Sequence, residues 1–381
     1  MKVLIIIDSM KGSLSSLEAG KAAAEGIRRA DPGAGVAVRA LADGGEGTVQ
    51  ALVSNRNGKI RKIQVTGPLG LPVDCEYGIL PERGTAVIEM AGAAGLVLVP
   101  EEKRDPMKTT TYGVGEVIRD AVEQGCRKFV VGIGGSATND GGVGMLQALG
   151  YGFLDKHGRQ VAYGAAGLKE LETITDEFVI PELAECRFRI ACDVTNVLCG
   201  EQGCSAVFGP QKGATPTMIA QMDQWLGHYA ALAEGKFPHA DPARSGTGAA
   251  GGLGFAFLTF TNAELTSGID IVLEETHMEE SIREADLVIT GEGRLDGQTA
   301  MGKAPVGVAK LASKYGKTVV ALAGSVTKDA RACNERGITA FFPIVRGPVS
   351  LEEAMDREMA KRNLADTAEQ VYRLWSTREE K

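Results

Sequence analysis

The chain has 381 residues, 44% apolar and 24% charged, enough for two domains with their own cores. A net charge of −8 and a pI near 5.3, with no run of Lys and Arg longer than two, exclude nonspecific nucleic-acid binding. Fifty glycines, roughly double the usual share, follow no repeat and cluster in loops, which excludes collagen-like and low-complexity architectures.

Taken in order, residues 3–7 form a first strand, too short an apolar run for a leader peptide. A helix over about 15–30, a strand at 36–41 and a helix over about 46–54 follow. Residues 59–66, 73–80 and 85–90 read as three strands joined by the turns "TGPLG" and "PERG", with no helix between them. A helix over 109–124 precedes a strand at 129–131. The segment "VVGIGGSATNDGGVGMLQALG" then runs from strand into helix through a loop almost without bulk. A strand lies near 188–193. Residues 245–263 are uncharged but carry five glycines and four hydroxyl residues, which disqualifies them as a membrane span. Alternation then resumes: strand 286–290, helix 304–314, strand 318–322, helix 328–336, strand 338–342, helix 351–375. Seven cysteines without an export signal suit a reducing cytoplasm, and none forms a C-x-x-C pair.

Both ends of the chain therefore predict βαβ units, and the middle predicts a change of architecture. The expected fold class is α/β with two domains. Residues 1–60 plus 285–381 form a Rossmann-like parallel-sheet domain, 61–284 an inserted α/β domain with a β-meander, and the active site lies in the cleft between them.

The chemistry collects where parallel strands end. "DSMKGSLS", "ADGGEGT", "GIGGSATNDGG", "CDVTN" and "GEGRLDGQTAMGKAP" each follow such a strand, and most carry an acid. Glycine N–H groups and helix N-termini favour phosphate oxygens, whereas carboxylates repel them unless Mg²⁺ intervenes. Acids and glycines together point to Mg²⁺-nucleotide chemistry. "GQTAMGKA" (297–304) approaches the P-loop pattern but ends in Ala304 where Ser or Thr should bind Mg²⁺. "GIGGSA" matches the dinucleotide fingerprint only loosely, and no acid follows at the required distance.

Nine segments resemble the bacterial glycerate kinase family: "DSMKGSLSS", "LADGGEGT", "VTGPLG", "GIGGSATNDGGVGMLQALG", "ACDVTN", "AVFGPQKGA", "GTGAAGGLGFA", "ADLVITGEGRLDGQTAMGKAP" and "ALAGSV". They stand in order over residues 1 to about 345. The resemblance implies a two-domain kinase, not a P-loop fold, using ATP and Mg²⁺ to convert D-glycerate, usually to 2-phosphoglycerate. Met10, Val197 and Cys204 stand where the family usually has Phe, Pro and Ala.

The family motifs do not give each side chain its role; residue chemistry supplies expectations. Asp193, at a strand end beside Asn196, is a base or Mg²⁺ ligand, or else an Asx turn. Lys11 neutralises phosphoryl charge, or is simply solvated. Glu292 joins Asp193 as a metal ligand. Arg294 pairs with the glycerate carboxylate through its planar fork, or forms an ion pair with Asp296 or Glu292. Asp43, Glu46, Asp296 and Gln298 contact substrate. Gly134, Gly135, Ser136, Thr138, Asp140 and Lys303 contact nucleotide or phosphate, and Gln211 and Lys212 are weaker candidates. The expected partners are D-glycerate and ATP, with no nucleic acid or membrane, and a homodimer is the candidate assembly. Glycerate 3-kinase activity, a dinucleotide-dependent oxidoreductase of hydroxy acids and a sugar-acid sensor are the competing readings.

Overall fold

The computed structural model describes residues 1–377. It divides into two compact units: Met1–Asp43, Gln50–Arg56 and the chain from Ile269 onward form the first, and Gly44–Val49 with Asn57–Gly268 form the second. The later crossing falls at 268/269 rather than 284/285. The physical reason is packing: Ile269 lies so close to Gly307 of the helix Ala304–Ser313 that a β-carbon there would meet it at 2.5 Å. The helices Gly268–Glu275 and Met278–Glu284 therefore follow the first unit apart from Gly268.

The first unit is a five-stranded, wholly parallel sheet. Its order is Ala340–Pro343, Thr318–Val326, Leu287–Leu295, Lys2–Ile7, Gly35–Val38. The run VLIII is almost wholly buried because a parallel sheet is covered on both faces. Helix Ser16–Ala30 begins at a capping box, with Ser15 and Glu18 satisfying one another's backbone N–H groups. It packs on Arg357–Ser376 at Gly26, where a β-carbon would meet the Ala365 carbonyl at 1.9 Å. Strand Gly35–Val38 is shorter than expected because the chain beyond it turns into the interior. There Asn55 Nδ2 donates to the Ala40 carbonyl at 2.9 Å. The last expected helix is two, Leu351–Met355 and Arg357–Ser376, since Asp356 ends one and caps the other through the Met359 N–H. Residues 328–336 form a 3₁₀ helix.

The second unit carries a six-stranded mixed sheet in the order Ala263–Thr266, Arg187–Ala191, Lys128–Gly132, Thr85–Glu89, Pro72–Leu80, Lys59–Thr66. The first four strands are parallel, and the last two complete the antiparallel meander. The two longest of the helices not anticipated are Pro216–Glu234 and Ala249–Phe260. Ala250, Gly251 and Gly252 all have positive φ and break the first turn of the latter. Among the described residues no helix is long and apolar enough to cross a membrane.

Candidate active site

In the first unit, the chain leaves strand Lys2–Ile7 for Gly35–Val38 on one side, while the later strands build out on the other side from Leu287–Leu295. The order reverses between Lys2–Ile7 and Leu287–Leu295, and a crevice opens beyond their carboxyl ends at such a switch point. Asp8 follows the first strand there, and Glu292 follows Gly291, the partner of Ile7, on the second. Ser16 holds a third segment in place: its hydroxyl donates to the Ile7 carbonyl at 2.6 Å and accepts from the Leu41 N–H at 2.8 Å. That clamp brings the end of the second strand, and with it Asp43, beside Asp8.

Asp8 and Glu292 are buried, at 5% and 9% exposure, and Asp43 is half-buried. The Asp8 carboxyl is pushed up to about 7, first by burial and then by Asp43; Glu292 adds to this, while the Ser9 N–H at 2.7 Å and Lys11 pull it down. Burial raises Glu292 too, with Asp296 and Asp43 in the same sense; the Thr299 hydroxyl, donating at 2.5 Å, and Lys303 oppose it. The crevice thus gathers acids against few compensating cations. Asp8 and Thr299 were not singled out in the sequence, although Asp8 opens the first of the strand-end loops.

The exposed Arg294 has its Nε 3.6 Å from Asp296, the ion-pair alternative foreseen for it. Lys303 precedes helix Ala304–Ser313 and its Nζ donates to Gln298 Oε1 at 3.3 Å. The P-loop-like stretch cannot cradle a phosphate in the usual way. Its Gly297 N–H donates to Asp329, and the Gln298 and Thr299 N–H groups to Asp296.

In the second unit a rim forms at the carboxyl ends of the parallel strands. Segment Gly44–Val49 lies across it. A β-carbon on Gly132 would strike the Gly44 carbonyl at 2.2 Å, and one on Gly44 would meet the Ala191 side chain at 2.4 Å and Gly268 at 2.8 Å. Only glycine permits these approaches, and Gly44 also has φ +89°. Glu89, half-buried at the end of its own strand, receives the Val49 N–H at 2.8 Å together with those of Gly47 and Thr48. Its pKa is nonetheless raised by burial. It is a further acid missed in the sequence, and its signal was again its place at a strand end. Glu46 is exposed on the same segment.

The loop after Lys128–Gly132 exposes Gly134 and Gly135, while Ser136 is 8% exposed. Thr138 and Asp140 are buried, at 0% and 1%, and turn inward rather than toward a ligand. Asp140 accepts from the Thr111 N–H and hydroxyl, both at 2.8 Å, and from the Gly142 and Gly144 N–H groups. The exposed part of this loop is thus Gly134 and Gly135. Lys212 is buried as well and donates to the Thr138 carbonyl at 2.6 Å. Asp193 is exposed and accepts from the Gly268 N–H at 3.3 Å, a contact distant in the chain.

Among the described residues no three carboxylate, histidine or cysteine groups close around a point as in an all-protein metal cage. Mg²⁺ is usually held by one or two carboxylates plus substrate phosphates. The oxygens of Asp8 and Glu292 fit such a hard cation, whose charge would offset the burial, and the lesser repulsion, that raise both groups.

The chain matches the Glycerate kinase family over residues 3–376. A glycerate kinase of Bacillus subtilis (strain 168) is 48% identical over 97% of this chain and 98% of its own. The glycerate 2-kinase of Escherichia coli (strain K12) is 46% identical over 96% and 98%. A crystal structure assigned to a glycerate kinase 2 from Salmonella typhimurium LT2 superposes with a TM-score of 0.91 at 45% identity, covering 100% of both chains. Likeness of this extent, in sequence and in three dimensions, makes the chain a member of the glycerate kinase family.

Proposed function

We propose that the protein transfers the γ-phosphoryl group of ATP to the 2-hydroxyl of D-glycerate, giving 2-phospho-D-glycerate and ADP. The observation that carries the reading is the end-to-end likeness to the E. coli glycerate 2-kinase. The strand-end geometry supports it, because phosphoryl transfer asks for charge neutralisation and positioning more than for covalent chemistry.

In this reading Gly134 and Gly135 offer backbone N–H groups to phosphate oxygens, and Ser136 offers its hydroxyl. Asp8 and Glu292 hold Mg²⁺, which supplies positive charge to the phosphates. Lys11 and Lys303 add mobile positive charge. Arg294 leaves its partner Asp296 to grip the glycerate carboxylate with two N–H groups, and Asp43, Glu46, Asp296 and Gln298 receive the hydroxyls. Asp193 takes the proton of the attacking hydroxyl. In this reading the two roles expected of Asp193 are divided: Glu292 keeps the metal, beside Asp8, and Asp193 keeps the base.

The test is ADP formation in a coupled assay with ATP, Mg²⁺ and D-glycerate. Turnover that requires glycerate, with no redox change when nicotinamide cofactors are supplied instead, is the expected result. Absence of ADP formation at millimolar D-glycerate would overturn the reading.

A further inference from the structure

We infer that Lys212 is a positioning residue for the kinase reaction: its buried ammonium group holds the Thr138 carbonyl and thereby sets the backbone of the Gly134–Gly135 loop. The inference rests on the proposal that this loop receives phosphate.

The geometry is specific. Lys212 ends the short 3₁₀ helix Pro210–Lys212 and is 1% exposed, so it reaches neither solvent nor any ligand. Its Nζ donates to the Thr138 carbonyl at 2.6 Å. The left-handed Gly251 makes room for that carbonyl, since a β-carbon there would lie 2.0 Å from it. Gly213, with φ +92°, presses on the Arg104 backbone and fixes where the lysine begins. The loop is also pinned upstream: Leu96 N–H donates to the Gly135 carbonyl at 2.8 Å, and the Thr109 hydroxyl to the Ala137 carbonyl at 2.8 Å. Asn139 Nδ2 donates to Ser205 at 2.8 Å. These anchors are neutral; Lys212 brings a positive charge.

A buried ammonium is costly unless something requires it. A neutral donor could have satisfied one carbonyl. The loop itself is short of partners: Thr138 Oγ1 and Asn139 Oδ1 are buried without a hydrogen bond, as is Tyr229 OH. The titratable groups facing Lys212 are Asp140 from the loop and Cys204 from helix Cys204–Phe208, and Tyr229 from Pro216–Glu234 faces Asp140. The Lys212 charge therefore sits in the field of the one carboxylate that organises the far end of the same loop. Losing it would free the Thr138 carbonyl and leave Asp140 without its countercharge, while the exposed glycines keep their sequence.

Burial also lowers the Lys212 pKa to about 8, so the charge can be removed without mutation. Burial raises Cys204 to about 11 and Tyr229 well above its ordinary value, so neither shares this titration up to pH 9.5, and it raises Asp140 as well. The linkage has a useful sign. Because the folded pKa lies below the unfolded value of 10.5, Lys212 makes folding more favourable as pH rises from about 8 toward 10.5. Order in the loop should fall over that range while the contribution of this group to global stability rises, and a merely structural lysine would not separate the two.

The experiment measures Lys212→Met and wild type in two ways: steady-state kinetics against ATP and D-glycerate, and hydrogen-exchange protection factors, corrected for intrinsic rates, for residues 134–139. The expected result is a cooperative melt, an ATP KM raised roughly tenfold or more, a glycerate KM within about twofold of wild type, and lost protection at 134–139. In wild type the same protection should fall between pH 7 and 9.5, with the variant flat. An unchanged ATP KM with unchanged protection overturns the inference. Lost protection with a raised glycerate KM instead supports the positioning role and refutes the phosphate assignment. Should the variant not fold, the wild-type profile decides: protection constant through pH 9.5 overturns the inference, and its loss above about pH 8 supports it.

Discussion

Asp8→Asn should inactivate the enzyme and at the same time make the metal-free protein more stable. The Asp8 carboxyl is nine-tenths buried among acids and is raised from 3.8 to about 7. A shift of about three units corresponds to roughly 4 kcal/mol of preference for the neutral form. The folded pKa lies above the unfolded one, so this stabilisation is full below about pH 4 and is lost as pH rises through 7. Above pH 7 the native state carries a buried, repelled charge that asparagine, nearly isosteric, does not carry. For a unit of this size each kcal/mol moves Tm by roughly 2–4 °C. In chelator at pH 8 the variant should melt higher, by up to about 10 °C and by less if the site relaxes, whereas at pH 4 the two should coincide. Thermal melts across pH 4–8.5 and a coupled ADP assay give both readings. A variant that melts lower than wild type at pH 8, or that keeps activity within about threefold, would refute the account of the acid crevice.

Asp193→Asn should lower kcat by roughly 10²-fold or more, the usual scale for removing an acid–base group, with the melting curve preserved; activity within threefold in the same assay would make Asp193 a turn residue alone. Arg294→Lys should raise the glycerate KM far more than the ATP KM, because lysine supplies the charge without the bidentate fork; initial-rate kinetics with each substrate varied decide this, and a normal glycerate KM would remove Arg294 from the site. Glu89→Ala should cost about 1–3 kcal/mol, since it strands buried N–H groups of Gly47, Thr48 and Val49; urea denaturation reads the loss, and an unchanged midpoint would show that the segment holds without it. Excess chelator should abolish turnover and Mg²⁺ or Mn²⁺ restore it; full activity in chelator would exclude a metal at Asp8 and Glu292.

What could be read from the residues was the periodic part. Buried runs such as VLIII and the meander at 59–90 announce their state through pattern alone, and the strand-end loops announce where acids and glycines collect. The direction in which a loop side chain points was not legible. In "GSATND" nothing local separates Gly135, which is exposed, from Thr138 and Asp140, which turn inward, because their burial comes from helix Ala249–Phe260 and from Lys212, distant in the chain. Lys212 itself was ranked as a weak ligand contact because an isolated lysine gives no sign of burial. Asp8 was passed over for Lys11, since an acid before "SMKGS" is equally a turn residue; only the sheet order sets it beside Glu292. Helix Pro216–Glu234 did leave a signal, with Thr215 as cap, proline at its first position and buried Met222, Leu226, Tyr229 and Ala233 at helical spacing. Helix Ala249–Phe260 left none that could be trusted, as its start violates helical φ at three residues.

Phosphorus NMR of the product formed from ATP and D-glycerate tests the central claim most directly. The carbon bearing the new ester sets the coupling: a phosphate on the secondary 2-carbon couples to one proton, and one on the primary 3-carbon couples to two. The account predicts a doublet, 2-phospho-D-glycerate, accumulating one for one with ADP. A triplet, or ADP formation with no glycerate-derived phosphate ester, would contradict it.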